Sequence, residues 1–158
     1  PNDLDPTLNT VKNIAQSNGF DGWIMYNLYP QRATDPVDLH IEIDNNLISK
    51  NHAAILKSIV NLNIKTVWLA WGDLIDQRDY LYYSLIKLYD SISDLNLKIN
   101  WQIVDLPTLK GNPRHPLYKK HTSQLQEFEI KVYIENIARP KVQGKGFDRI
   151  LIEGNEFK

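Results

Sequence analysis

Gly22-Trp23-Ile24-Met25-Tyr26-Asn27-Leu28-Tyr29-Pro30-Gln31-Arg32-Ala33-Thr34-Asp35-Pro36 is the stretch on which the fold turns. Residues 23–28 are apolar and aromatic with only Asn27 intervening, the pattern of a strand buried on both faces of a parallel sheet. Pro30 and Pro36 carry no N–H for a ladder, so the strand is expected to stop near Leu28 and the chain to leave the sheet there. This predicts Asn27, Arg32, Thr34 and Asp35 at the carboxyl end of a sheet, where open α/β folds place their ligands.

On the amino-terminal side, Asp5-Pro6-Thr7 reads as an N-cap followed by a proline in the first turn, and Leu8, Val11, Ile14 and Ala15 share one helical face. Asn18-Gly19 ends that helix. On the other side, the spacing predicts a helix over 47–62, a buried strand over 66–72, a helix over 76–94 and a strand over 99–104. Residues 106–118 hold Gly111, Pro113 and Pro116 and read as a loop at the carboxyl end of the last of these strands. Further on, Phe128, Ile130, Val132 and Ile134 alternate as in a strand, although the Glu and Lys between them also permit a short helix. Gly144 and Gly146 suit a connection, and residues 150–152 form a brief apolar piece.

Helix alternating with strand argues for an α/β fold, a three-layer α/β/α sandwich with a mainly parallel sheet. Residues 1–118 read as a single α/β domain and 119–158 as a C-terminal extension. A chain that opens on a helix N-cap lacks the strand such folds place at the centre of the sheet, so a first strand is expected upstream of Pro1.

The bulk composition narrows the function classes. The chain has 158 residues and no cysteine, which removes thiolate metal sites and a Cys nucleophile. Its net charge of −1 divides unevenly: residues 1–106 hold 8 Lys and Arg against 13 Asp and Glu, whereas 107–158 hold 10 against 6. A basic last third can attract a polyanion, though scattered lysines more often only solvate a surface. No apolar run has the length of a membrane span and no signal-peptide pattern opens the chain, so a soluble, cytoplasmic protein with no membrane partner is expected. His40, His52, His115 and His121 lack metal-ligand spacing, and no dinucleotide fingerprint, phosphate-binding loop or nucleophile elbow occurs. No metal and no cofactor is expected.

Four motifs in order, Asp5-Pro6-Thr7, Asn27-Leu28 with residues 32–36, Ala70-Trp71-Gly72 and residues 111–118, resemble those of the bacterial and phage family called domain of unknown function 1643. In that family a strand ending in Asn-Pro-Ser comes first, and Pro1-Asn2 look like its remnant. The family's Asn-Asp pair is replaced by Asn51-His52, so His52 is expected to lie outside any site. The motif layout is in turn similar to that of the uracil-DNA glycosylase superfamily. That resemblance implies a glycosylase-like sheet, with Asn27 reading a base edge, His115 facing the base carbonyl, and Asp3 positioning water if a glycosidic bond is cleaved.

The resulting site combines Asn27 and His115 as catalytic candidates with Arg32, Thr34, Asp35, Trp71, Gly72, Arg114 and Tyr118 around a ligand. Trp71 offers a face on which any base stacks, and His115 is suited to proton transfer or hydrogen bonding near neutral pH. Each has a plainer alternative: Asn27 satisfied by backbone, Arg32 paired with Asp35, Trp71 in the core, His115 a capping residue. The leading expectation is a partner that is a nucleobase or a single-stranded or damaged nucleic acid. The alternative is a non-catalytic module that binds a small metabolite or a protein partner in the same cleft, and a fragment retaining only structural residues is a third.

Overall fold

The computed structural model describes residues 5–31 and 35–147. Helix α1, Pro6–Ser17, begins as the sequence requires, with an Asp5 carboxylate oxygen accepting from Leu8 N at 3.0 Å and Pro6 in the first turn. Asn18 closes it and ties it down. Its Nδ2 donates to Ile14 O at 2.8 Å and Ser123 O at 2.9 Å, while its Oδ1 accepts from Leu125 N at 2.9 Å.

Residues 23–28, expected as a buried strand, are not in a sheet. None of their backbone groups pairs with another backbone group among the described residues, and Ile24 is 51% exposed. Three side chains hold the run instead: Tyr26 Oη lies 2.8 Å from Ser58 Oγ, Asn51 Nδ2 donates to Asn27 O at 2.7 Å, and Ser84 Oγ donates to Leu28 O at 2.7 Å. The apolar pattern predicts burial on both faces of a sheet, but among the described residues the sheet does not reach this segment.

Helix α2, Asn45–Asn61, is capped by Asp44, whose carboxylate accepts from Asn46 N and Leu47 N. Strands β1, Thr66–Trp68, and β2, Asn100–Val104, run parallel with Thr66 opposite Asn100 and Trp68 opposite Gln102. Between them a 3₁₀ turn, Gly72–Gln77, takes up Asp76 before helix α3, Asp79–Asp94. Strand β3, Leu125–Glu127, pairs antiparallel with the far edge of β2. Among the described residues the sheet therefore has three strands in the order β1-β2-β3 and is mixed, with one parallel and one antiparallel pairing, where a mainly parallel sheet was expected; the second neighbour of β2 comes from the last third of the chain.

The strand favoured over 128–137 is helical. Helix α4, Ile130–Tyr133, a π turn, Ile134–Ala138, and helix α5, Arg139–Val142, follow one another without a break. Ile130, Tyr133, Ile134 and Ala138 are buried at helical spacing, while Val132, which the alternation would place beside Ile130, is 54% exposed. These residues join the main core around α3, with Tyr80, Tyr82, Leu85 and Ile103. Ile55, Ile59 and Ile92 form a second cluster.

Basic residues late in the chain pair with earlier carboxylates: Lys110 and Lys141 with Asp76, Lys119 with Asp105, Arg139 with Asp90 and Lys145 with Asp79. No helix among the described residues is long and apolar enough to cross a membrane. The apolar piece at 150–152 lies outside the described residues.

Candidate binding cleft

A cleft of about 760 Å³ is walled by residues 22–29, by residues 63–71 through β1, and by α1, α2 and α3. Its lining is mostly apolar and aromatic, with Trp23, Met25, Tyr26, Trp68 and Trp71 prominent. At the carboxyl end of β1 it reaches Trp71, His115 and Pro116.

Gly72 is what lets the loops after β1 and β2 meet there. Its N–H donates to Pro113 O at 2.8 Å, its φ is +62°, and a Cβ at this position would sit 3.2 Å from His115 Cβ. The 106–118 loop is then fixed from below by a chain of hydrogen bonds. Trp71 Nε1 donates to Tyr133 Oη at 3.2 Å, Tyr133 Oη donates to Asn112 Oδ1 at 2.7 Å, and Asn112 Nδ2 donates to Asp73 Oδ1 at 2.8 Å. Thr108 Oγ1 also donates to Asp73, at 2.7 Å, and the hydrogen bonds from Thr108 and Asn112 hold the Asp73 carboxyl below its usual pKa. Burial pushes the Tyr133 phenol upward, so it remains a neutral donor.

His115 is positioned by its own loop. Its Nδ1 accepts from Leu117 N at 3.2 Å, which leaves the proton of the neutral ring on Nε2. Burial lowers its pKa from the ordinary histidine value, favouring that neutral form near pH 7. His115, in the lining of the cleft, is thus a hydrogen-bond donor without a full charge.

Of the residues singled out in the sequence, Asn27, Trp71 and His115 line this cleft, with Gly72 directly behind. Asn27 is exposed rather than buried, and its carbonyl is the group that Asn51 holds. Arg114 lies outside the lining and donates from Nε to Leu106 O at 2.7 Å, a loop-bracing role. Tyr118 is 93% exposed, with φ +65°, and also lies outside the lining. Asp35 is exposed and accepts from Val37 N at 3.0 Å, as in an ordinary turn. Arg32, Thr34 and Asp3 lie outside the described residues.

The motifs of the sequence leave out the residues that support the cleft wall. His52, set aside there, is buried with Asn51 and Ser84; its Nε2 lies 3.0 Å from Ser84 Oγ. Burial, then the charge of Lys87, brings its pKa down to about 4. Two polar residues on the apolar face of α2 were the available signal. Arg78 and Tyr80 had none: Arg78 donates to the carbonyls of Val37, Leu39 and His40, and Tyr80 Oη donates to His40 O at 2.8 Å. The loop before α2 is thus bound to α3, and His40 Nδ1 also meets Tyr29 Oη at 2.7 Å. Among the described residues, no group of three His, Cys, Asp or Glu side chains is placed to hold a metal ion.

Residues 1–117 match the family model described as "Protein of unknown function (DUF1643)". No curated protein and no solved structure matches the chain. With about three-quarters of its length covered by that match, the chain belongs to the DUF1643 family of proteins of unknown function.

Proposed function

We propose that the cleft binds a planar nucleobase, free or within single-stranded nucleic acid, at its mouth beside Trp71 and His115. The observation that carries this reading is the fixed tautomer of His115, which offers an Nε2–H donor at an aromatic rim. A base presents a carbonyl or ring nitrogen to such a donor and a π face to an indole. Asn27, also in the lining, has an amide able both to donate and to accept, which suits a base edge. The mostly apolar lining favours a flat, weakly hydrated ligand over a free phosphate. Glycosidic cleavage would need a group to activate water; Asp3, expected in that role, lies outside the described residues, and the reading stops at binding.

Titrating uracil, adenine and a labelled oligothymidylate while following tryptophan fluorescence and anisotropy tests the proposal. Saturable quenching by a base is expected, weakened about tenfold by His115→Ala through the lost hydrogen bond. The reading is overturned if no base or oligonucleotide gives a saturable change, or if the variant binds as the native chain does.

A further inference from the structure

Arg114 and Tyr118 adjoin the cleft mouth without lining it. Lys119 N donates to Pro116 O at 3.0 Å, closing a four-residue turn in which Tyr118 is the third residue. Its φ of +65° lies in the left-handed region, which glycine or asparagine enters at least cost in such a turn. Packing returns nothing for that cost, because Tyr118 is almost wholly exposed. The turn is nonetheless firmly held. Pro113 and Pro116 are fully buried on either side of Arg114 and His115, and Lys119 Nζ pairs with Asp105 Oδ2 at 2.8 Å. A strained backbone position that presents an aromatic ring to solvent from a fixed turn is explained by what the ring meets in a complex.

Arg114 supplies a second, independent observation. Its Nε is committed to Leu106 O, whereas its two terminal nitrogens have no hydrogen-bond partner and no ion pair among the described residues. In this it differs from Lys110 and Lys119 nearby, which are both paired with carboxylates. A guanidinium anchored at Nε offers a preset fork to an oxyanion. Both groups lie within reach of the mouth. Arg114 directly precedes His115, and three residues of chain keep the Cα of Tyr118 within about 11 Å of that of His115.

We propose that residues 114–118 form a second subsite, for the nucleotide next to the one whose base enters the mouth at Trp71 and His115. Its base stacks on Tyr118, and the phosphate joining the two nucleotides is held by the terminal nitrogens of Arg114. The inference rests on the base-binding reading and narrows it: the ligand is a single-stranded oligonucleotide of two nucleotides or more, rather than a free base. A duplex does not bind in this way, because its bases turn their faces to one another and not to a protein ring. Stacking tolerates every base, so the second position is unselective.

Tryptophan quenching by thymine, by the dinucleotide of thymidine, and by the same dinucleotide with an uncharged methylphosphonate link tests the proposal. The native chain is expected to bind the dinucleotide about tenfold more tightly than thymine, and the uncharged analogue several times more weakly than the dinucleotide at low salt. Tyr118→Ala is expected to lose the advantage of the dinucleotide and Tyr118→Phe to keep it. Tyr118→Asn controls for the fold: asparagine suits the left-handed backbone, so the melting temperature holds or rises while dinucleotide affinity falls about tenfold. A Tyr118→Asn chain that binds the dinucleotide as the native chain does overturns the proposal, as does a dinucleotide no tighter than thymine; saturable thymine binding then leaves the base reading standing. Equal affinity for the charged and uncharged links overturns the role of Arg114. No saturable change with any of the three fails the base reading, and this inference with it.

Discussion

Ser84 bridges His52 and the backbone of the cleft wall: its hydroxyl donates to Leu28 O at 2.7 Å and stands 3.0 Å from His52 Nε2. With the hydroxyl proton committed to the carbonyl, the imidazole supplies the hydrogen of the second bond. His52 is therefore held neutral with its proton on Nε2, which agrees with a pKa near 4 caused first by burial and then by Lys87.

Mild acid should consequently weaken the fold. The folded pKa of about 4 lies below the ordinary value of 6.5, so the unfolded chain takes up the proton first. Stability is complete above pH 6.5 and falls as the pH drops toward 4, by about 3 kcal/mol across the window for this one group. His115 shifts in the same direction and adds to the effect. Asp76 acts lower: burial opposes its ionisation, but Tyr82, Lys110 and Lys141 bring its pKa to about 2, below that window. Urea midpoints of the native chain and of His52→Asn between pH 7.5 and 5 check this; an equally steep loss in both would acquit His52.

Ser84→Ala should remove about 1–3 kcal/mol, because it leaves both the Leu28 carbonyl and the His52 N–H without a partner in a buried place. Urea denaturation at pH 7.5 measures it. A change within error of zero would mean that water replaces the hydroxyl.

Gly72→Ala should cost about 1–2 kcal/mol from the left-handed backbone alone. The added Cβ also presses on His115, so its imidazole resonances should move together with the melting temperature. Unaltered resonances would separate this glycine from the site.

Tyr133→Phe strips the acceptor from Trp71 Nε1 and the donor from Asn112 Oδ1, an expected loss of about 1–3 kcal/mol. Trp71 emission should shift as its indole N–H loses its partner. Unchanged emission and an unchanged urea midpoint would show that the loop is held by other means.

How far these features can be read from the sequence depends on which forces act locally. Asp5 and Asn18 act within a turn of helix, and the ends of α1 lie where those residues indicate; α2 was expected over 47–62 and runs over Asn45–Asn61, capped by Asp44, which the sequence had not singled out. β1 and β2 have short apolar runs that pair with each other, and both were legible. Residues 23–28 carry an equally strong apolar pattern, yet a pattern states only that a partner is wanted. Their exposure is decided by what lies beside them, which local sequence does not encode. The alternation at Phe128, Ile130, Val132 and Ile134 misled because Tyr133 and Ala138, spaced for a helix, were the residues the core took in. In the cleft, Trp71 and His115 stood out by residue type, whereas Ser84 and Asn51 matter through backbone carbonyls of residues far away in the chain.

The ion pairs of the last third bear on what a polyanion would find here. Nucleic acids gain affinity when protein cations replace the small ions condensed along the phosphates. Lys141 and Lys145 already have their counterions inside the molecule, at Asp76 and Asp79, and Lys110 shares the first of these. A phosphate taken up at Lys145 would leave Asp79 without that partner, and one at Lys110 or Lys141 would leave Asp76 with a single lysine, so part of the electrostatic gain is offset. Lys110, Lys141 and Lys145 thus act as a clasp that ties the last third of the chain to α3 and its preceding turn.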